Sequence, residues 1–121
     1  MSDRDYVLQV NGEVDSRARV LTARIHSVEM ESKPPKDCCV RATVFETYYR
    51  FEAIPGMGKT RVAVEVHTDP KGWIPTWLVN IVQKNWPRKT LTNLIAAAKE
   101  PNVPSHPDYK SWEEAIVLNL P

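Results

Sequence analysis

The 121-residue chain is poor in the residues that most site chemistry uses: two cysteines, three histidines and four glycines. Charge of one sign is lacking too, since sixteen Lys+Arg face fifteen Asp+Glu for a net charge of +1. That balance excludes the concentrated positive field of a nucleic-acid footprint and weakens any purely electrostatic membrane attachment. No apolar run approaches the roughly 18 residues of a membrane span; Leu94–Ala98 is among the longest. The first twenty residues carry Asp3, Arg4, Asp5, Glu13 and Asp15 and no apolar h-region, so no signal peptide is read. His26, His67 and His106 stand in separate segments without ligand spacing, which predicts no metal site. There is no Gly-x-Ser-x-Gly elbow, and nothing calls for a cofactor. Cys38 and Cys39 are adjacent, a spacing that seldom relaxes into a disulfide. The expectation is unpaired, buried structural thiols and a reducing, cytoplasmic setting.

What is there reads as a globular chain of one domain, with 42% hydrophobic and 26% charged residues. The first two-thirds is strand-like. Tyr6–Val10 is rich in β-formers and is followed by Asn11-Gly12, which predicts a turn. Residues 17–28 form a second strand that alternates only loosely. Residues 29–37, with Pro34-Pro35 and three acids, predict an exposed loop. Residues 38–46 form a strand with Val40, Ala42 and Val44 on one face and Arg41, Thr43 and Phe45 on the other. Tyr48–Ile54 continues extended structure, and Pro55-Gly56-Met57-Gly58 is a turn. In residues 60–69, Val62, Val64 and Val66 share one face while Arg61, Ala63, Glu65 and His67 share the other, the mark of a half-buried antiparallel strand.

After Asp69-Pro70-Lys71-Gly72 the period lengthens. Ile74, Trp77, Leu78, Ile81 and Val82, then Leu91, Leu94, Ile95 and Ala98, fall at helical spacing. Pro75 suits the first turn, and Pro87 predicts a kink near Trp86. Ser111-Trp112-Glu113-Glu114 looks like an N-cap before a short helix. Strands first and helix last argue for α+β: about five hairpin-connected antiparallel strands and one long amphipathic helix that needs the valine face to bury its stripe.

Two local features suggest chemistry. Gly58-Lys59-Thr60 has the letters that end a P-loop, but the motif's first glycine would be Ala53 and the segment joins strand to strand, so a hairpin turn is expected. Arg41 lies mid-strand among apolar residues, and is either a solvent-facing arginine or a charge in a cavity with an acidic or phosphate partner. Tyr48, Tyr49, Trp73, Trp77 and Trp86 fit ordinary core packing, a large apolar cavity, or contact with a membrane interface.

Arg4-Asp5-Tyr6-Val7, then Val40-Arg41, then Asp69-Pro70-Lys71-Gly72-Trp73-Ile74-Pro75-Thr76-Trp77-Leu78-Val79-Asn80, resemble the second half of a START domain, the StAR-related lipid-transfer family. With Pro107-Asp108-Tyr109-Lys110-Ser111-Trp112, they are most similar to its phosphatidylcholine-transfer branch. The resemblance implies a helix-grip fold: a curved antiparallel sheet wrapped on a C-terminal helix, with a tunnel for one lipid. It places the sheet at about 4–69, a lid helix at about 75–99 and a tail at 100–121, as one domain whose N-terminal half is missing. It implies a non-enzymatic lipid-binding or transfer module with transient membrane contact. By resemblance, Tyr6 and Phe45 map to an aromatic cage that holds choline through cation–π attraction. Trp77, Leu78 and Ile81 on the lid, with Arg41 as a polar contact, complete the expected ligand-binding set. The missing strands would leave the strand 60–69 as an open edge, which predicts a homo-oligomer. Two rival readings are a ligand-free dimerisation fragment and a polyketide cyclase-like enzyme using His26, His67 or Arg41.

Overall fold

The computed structural model describes residues 2–104 and 107. His106 and the expected helix after Ser111 lie outside the described residues. The described chain divides into two units, one of residues 2–72 and one that begins at Trp73.

The first unit holds eight strands: β1 (Asp3–Asp5), β2 (Leu8–Asp15), β3 (Val20–Ser27), β4 (Cys39–Arg41), β5 (Thr43–Val44), β6 (Thr47–Ile54), β7 (Lys59–Glu65) and β8 (Thr68–Asp69). Its main sheet has the order β2-β3-β6-β7, antiparallel throughout. Two small pairs flank it: β5 with β8, antiparallel, and β1 with β4, which is parallel and so departs from the all-antiparallel expectation.

The period-2 rule gives the main sheet two unlike faces. Residues directly opposite each other share a face, so Val14, Leu21, Phe51 and Val62 form one row across four strands. Gly12, Ala23, Tyr49 and Val64 form the next row, and Val10 lies beside Ile25. On the other face Asn11, Arg24, Tyr48 and Glu65 form a row, as do Glu13, Thr22, Arg50 and Ala63. One face is apolar from edge to edge. The other is laced by charge: Arg24 donates to Glu13 at 3.2 Å and to Glu46 at 2.8 Å, and Arg50 to Glu52 at 3.0 Å.

The turns explain several departures from expectation. Asn11-Gly12 does not turn, because Asn11 and Gly12 sit in the ladder opposite Arg24 and Ala23. The chain reverses at residues 16–19 instead. There Asp15 Oδ1 accepts from the backbone amides of Arg17 and Ala18 at 3.1 and 3.0 Å, and Arg19 takes φ +56°. Residues 55–58 turn as expected, with Gly56 and Gly58 at positive φ, so Gly58-Lys59-Thr60 closes a hairpin and cradles no phosphate. The strand expected over 38–46 breaks around Ala42, whose amide leaves the ladder to donate to the Asp5 carbonyl at 3.1 Å. The strand expected over 60–69 breaks at residues 66–67.

Cys38 and Cys39 are joined as a disulfide, which overturns the expectation of unpaired, buried thiols. Cys38 belongs to a turn closed by the Cys39 amide on the Lys36 carbonyl, so strand alternation does not send the two side chains apart. Cys38 is exposed and Cys39 half-buried. The inference of a reducing setting therefore loses its footing.

The second unit is built on one helix, α1 (Thr76–Ala98), entered from Pro75 at φ −57° and ψ 133°. The helix continues through Pro87, where proline removes the amide that the Gln83 carbonyl would accept. No α1 residue is fully buried, and Trp77 is 64% exposed.

Arg19 holds a left-handed conformation that costs a side-chain-bearing residue roughly 1–2 kcal/mol. Arg19→Gly is therefore expected to raise the unfolding free energy by about 0.5–1 kcal/mol after glycine's entropic cost. Urea denaturation followed by circular dichroism checks it, and a lowered midpoint would contradict the turn geometry.

Candidate binding site

The first two blocks that carried the family resemblance meet the start of the third, Asp69–Gly72, in the first unit, although the bonded residues lie 36 to 67 positions apart. β1 pairs with β4 in the register Arg4 to Val40 and Asp5 to Arg41. Arg4 reaches the other way, with Nε donating to the Pro70 carbonyl at 3.2 Å and Nη2 to the Lys71 carbonyl at 2.8 Å. Gly72 takes φ +69°, and a Cβ there would meet the Arg4 guanidinium at 3.2 Å and Val40 at 3.5 Å. Glycine is required twice over, for backbone angle and for space.

Arg41 has the acidic partner that one of its readings demanded. Its Nε donates to Asp5 Oδ1 at 2.9 Å and its Nη2 to Asp5 Oδ2 at 3.0 Å, a two-pronged ion pair with both side chains about three-quarters buried. Nη1 also donates to the Lys33 carbonyl at 2.9 Å, and Nη2 to the Pro34 carbonyl at 3.0 Å. Arg41 therefore ties the 29–37 loop to β1. The Arg41 guanidinium holds the Asp5 carboxyl below its usual value, chiefly by hydrogen bonding, and Asp5 in turn raises Arg41.

Beside this tie lies an open groove of about 730 Å³. Val7, Val28, Met30, Pro34 and Ala42 supply apolar walls, and Lys33, Lys71 and Arg41 with Glu29 and Glu31 supply charge of both signs. The second apolar surface is the sheet face described above. Its strand ends are open: Leu8 and Val10 are exposed, the latter at 61%. Among the described residues, Val20, Ala42 and Val44 are the fully buried apolar side chains. So much uncovered apolar area on a small chain marks a surface that takes a ligand or a partner.

The expected site residues fall in both units. In the first, Tyr6 follows β1 and is 43% exposed, while Phe45 follows β5 and is 54% exposed, its amide donating to the His67 carbonyl at 2.8 Å. In the second, Trp77 and Ile81 are exposed on α1 and Leu78 is half-buried. The groove walls at Met30 and Val28 were not expected, since the 29–37 loop was read only by its prolines and acids. His26 lies opposite Gln9 in the row pattern of the charged face, away from the apolar one. His67 is 62% exposed and pairs with Glu65 at 3.5 Å. Glu65 also accepts from the Tyr48 hydroxyl at 2.7 Å, which pushes that phenol above its ordinary range. Among the described residues, no group of three or more His, Cys, Asp or Glu side chains could hold a metal ion.

Residues 1–100 match the START domain family. The chain belongs to that family. Its fold is similar to that of human StAR-related lipid transfer protein 5, at 20% identity and a TM-score of 0.58, over 97% of this chain and 45% of that one. This START chain thus spans less than half the length of the solved relative. No curated protein matches its sequence. The α+β, helix-grip class read from the sequence is the fold class of this START chain.

The tie through Arg41 predicts a specific response. Arg41→Gln is expected to raise amide hydrogen exchange across residues 31–37 severalfold, and Arg41→Lys to rescue little, because an ammonium lacks the planar fork. Asp5, whose carboxyl is lowered on folding, contributes stability above the ordinary aspartate range. That contribution is lost as pH falls through the lowered value. Asp5→Asn should flatten this acid limb of the pH–stability curve; an unchanged limb would show that the ion pair does not hold in solution.

Proposed function

We propose that this chain is a lipid-binding module of START type, working as one domain, in which the apolar sheet face lies along the hydrocarbon of a single lipid. Membership of the START family and the continuous apolar face across β2, β3, β6 and β7 support this reading. The name of the human relative, a lipid transfer protein, points the same way. Burial alone supplies affinity, at about 0.8 kcal/mol for each CH₂ withdrawn from water.

The ligand we infer is a phospholipid, and the phosphatidylcholine-transfer resemblance favours a choline head group. Tyr6 and Phe45 are its aromatic contacts, Trp77, Leu78 and Ile81 its contacts on α1, and Arg41 a polar contact. Four of the five N–H donors of Arg41 are engaged by Asp5, Lys33 and Pro34, so its direct share is at most one hydrogen bond. Loading and release take place during transient membrane contact. Among the described residues, no helix is long and apolar enough to cross a membrane. The role is binding, not catalysis. His26 and His67, the bases a polyketide cyclase would need, lie respectively on the charged face and in an exposed position.

Native mass spectrometry after incubation with phosphatidylcholine vesicles is expected to show a one-lipid adduct. Phe51→Asp, which sets a charge in the middle of the apolar face, should weaken that adduct at least tenfold, about 1.4 kcal/mol. Arg50→Ala, on the opposite face, should leave it unchanged. A chain that takes up no lipid from vesicles or from a total lipid extract would overturn the proposal and favour the ligand-free interaction fragment.

A further inference from the structure

The chain's two cysteines are neighbours in sequence and are bonded to each other. Adjacent residues in an extended strand send their side chains to opposite faces. A disulfide needs its two Cβ atoms about 3.5–4.5 Å apart, with both sulfurs on one side. The Cys38–Cys39 bond and an extended backbone through both residues therefore exclude each other. Residues 38–44 have the alternation of a strand, yet β4 starts at Cys39. Cys38 is held instead in a turn, closed by the Cys39 amide donating to the Lys36 carbonyl at 3.1 Å. The bond keeps Cys38 out of the strand that its sequence favours.

That turn ends the 29–37 loop. β4 grips three carbonyls of the loop: Lys33 and Pro34 through Arg41, at 2.9 and 3.0 Å, and Lys36 through the Cys39 amide. Met30, Glu31, Lys33, Pro34 and Pro35 of the same loop line the groove. The disulfide is thus coupled to one wall of the groove through the hydrogen bond on Lys36. It is also within reach of a reagent, since Cys38 is exposed while Cys39 is half-buried.

We propose that Cys38–Cys39 is a reversible redox site that reacts with dithiol reductants and sets how firmly the 29–37 loop is held. One thiolate of the reductant attacks the exposed Cys38 Sγ. The Sγ–Sγ bond breaks, and its electron pair leaves on Cys39 Sγ, which takes a proton. The second thiolate of the reductant then attacks its own sulfur in the mixed disulfide, and Cys38 leaves as a thiolate that takes the second proton. The reductant ends as a cyclic disulfide, and the protein has gained two electrons and two protons. In this dithiol state the covalent bar to extension at Cys38 is gone. Cys38 joins the strand, the turn opens, and the loop keeps its Arg41 anchors but loses the one at Lys36. A small-molecule disulfide acting as oxidant reverses each step and restores the turn.

The test uses the whole 121-residue chain, reduced with dithiothreitol and then reoxidised with the cyclic disulfide of that reagent. Mass spectrometry after iodoacetamide treatment without denaturant is expected to show two alkylated thiols in the reduced chain and none in the untreated or reoxidised one. Circular dichroism should report a folded chain in all three. Amide hydrogen exchange over residues 37–39 should rise severalfold on reduction and fall back on reoxidation, with β6 unchanged. The C38S/C39S variant should show the reduced pattern whether or not dithiothreitol is present. Four results would each overturn the proposal: thiols that react only after denaturation, loss of the whole fold on reduction, exchange over 37–39 that ignores the redox state, or reoxidation that joins two copies in place of closing the ring.

Discussion

The Asp5–Arg41 ion pair is the constraint on which the first unit turns. Asp5 lies at the end of a three-residue strand, and three residues of parallel pairing to β4 are by themselves a short ladder. The two-pronged bond makes that hold specific. Without it β1 has only a short ladder, the 29–37 loop loses the donor that gathers the Lys33 and Pro34 carbonyls, and the groove loses a wall. Arg4 works from the neighbouring position in the opposite direction, binding the Pro70 and Lys71 carbonyls. Two consecutive residues thus point to opposite sides of one strand and fasten two loops that are remote in sequence. Gly72 leaves the room in which Arg4 does so.

Among the described residues three apolar side chains are fully buried, and the main sheet is held by its ladders and by a charged face. Exposed ion pairs such as Arg24–Glu13 add little to stability, since water screens them. They secure register more than stability: a one-residue slip would carry the whole Asn11–Arg24–Tyr48–Glu65 row onto the apolar side. The opposite face is then free to stay apolar from edge to edge.

Much of this was legible in the sequence where a residue's neighbours decide its place. The valines of β7 alternate without exception, and Pro55–Gly58 can hardly be anything but a turn. Pro75 marks the start of α1. Legibility failed where a distant partner decides. Asn11-Gly12 has turn composition, yet eight ladder partners on β3 keep it extended, and the reversal falls on a stretch whose turn signal is a single carboxylate, Asp15. Cys38 read as strand until the turn at Lys36 took it out of the alternation. The partner of Arg41 stands 36 residues away, and no periodicity links the two. The expected site residues divide in the same way. Tyr6 and Phe45 were reached by resemblance alone, while the apolar rows of β3 and β6 needed the register, because their loose alternation hides which side each residue takes.

Register also connects the two surfaces of the main sheet to its edges. A sheet whose faces differ this sharply can add a strand only if the newcomer presents the same order of apolar and charged positions. β7 carries that order along its length. Lys59, Arg61 and Glu65 lie on the charged face, and Val62 and Val64 lie between them on the apolar one. In this chain the apolar wall and the charged face at β7 follow from one sequence pattern, Lys-Thr-Arg-Val-Ala-Val-Glu, read on its two faces.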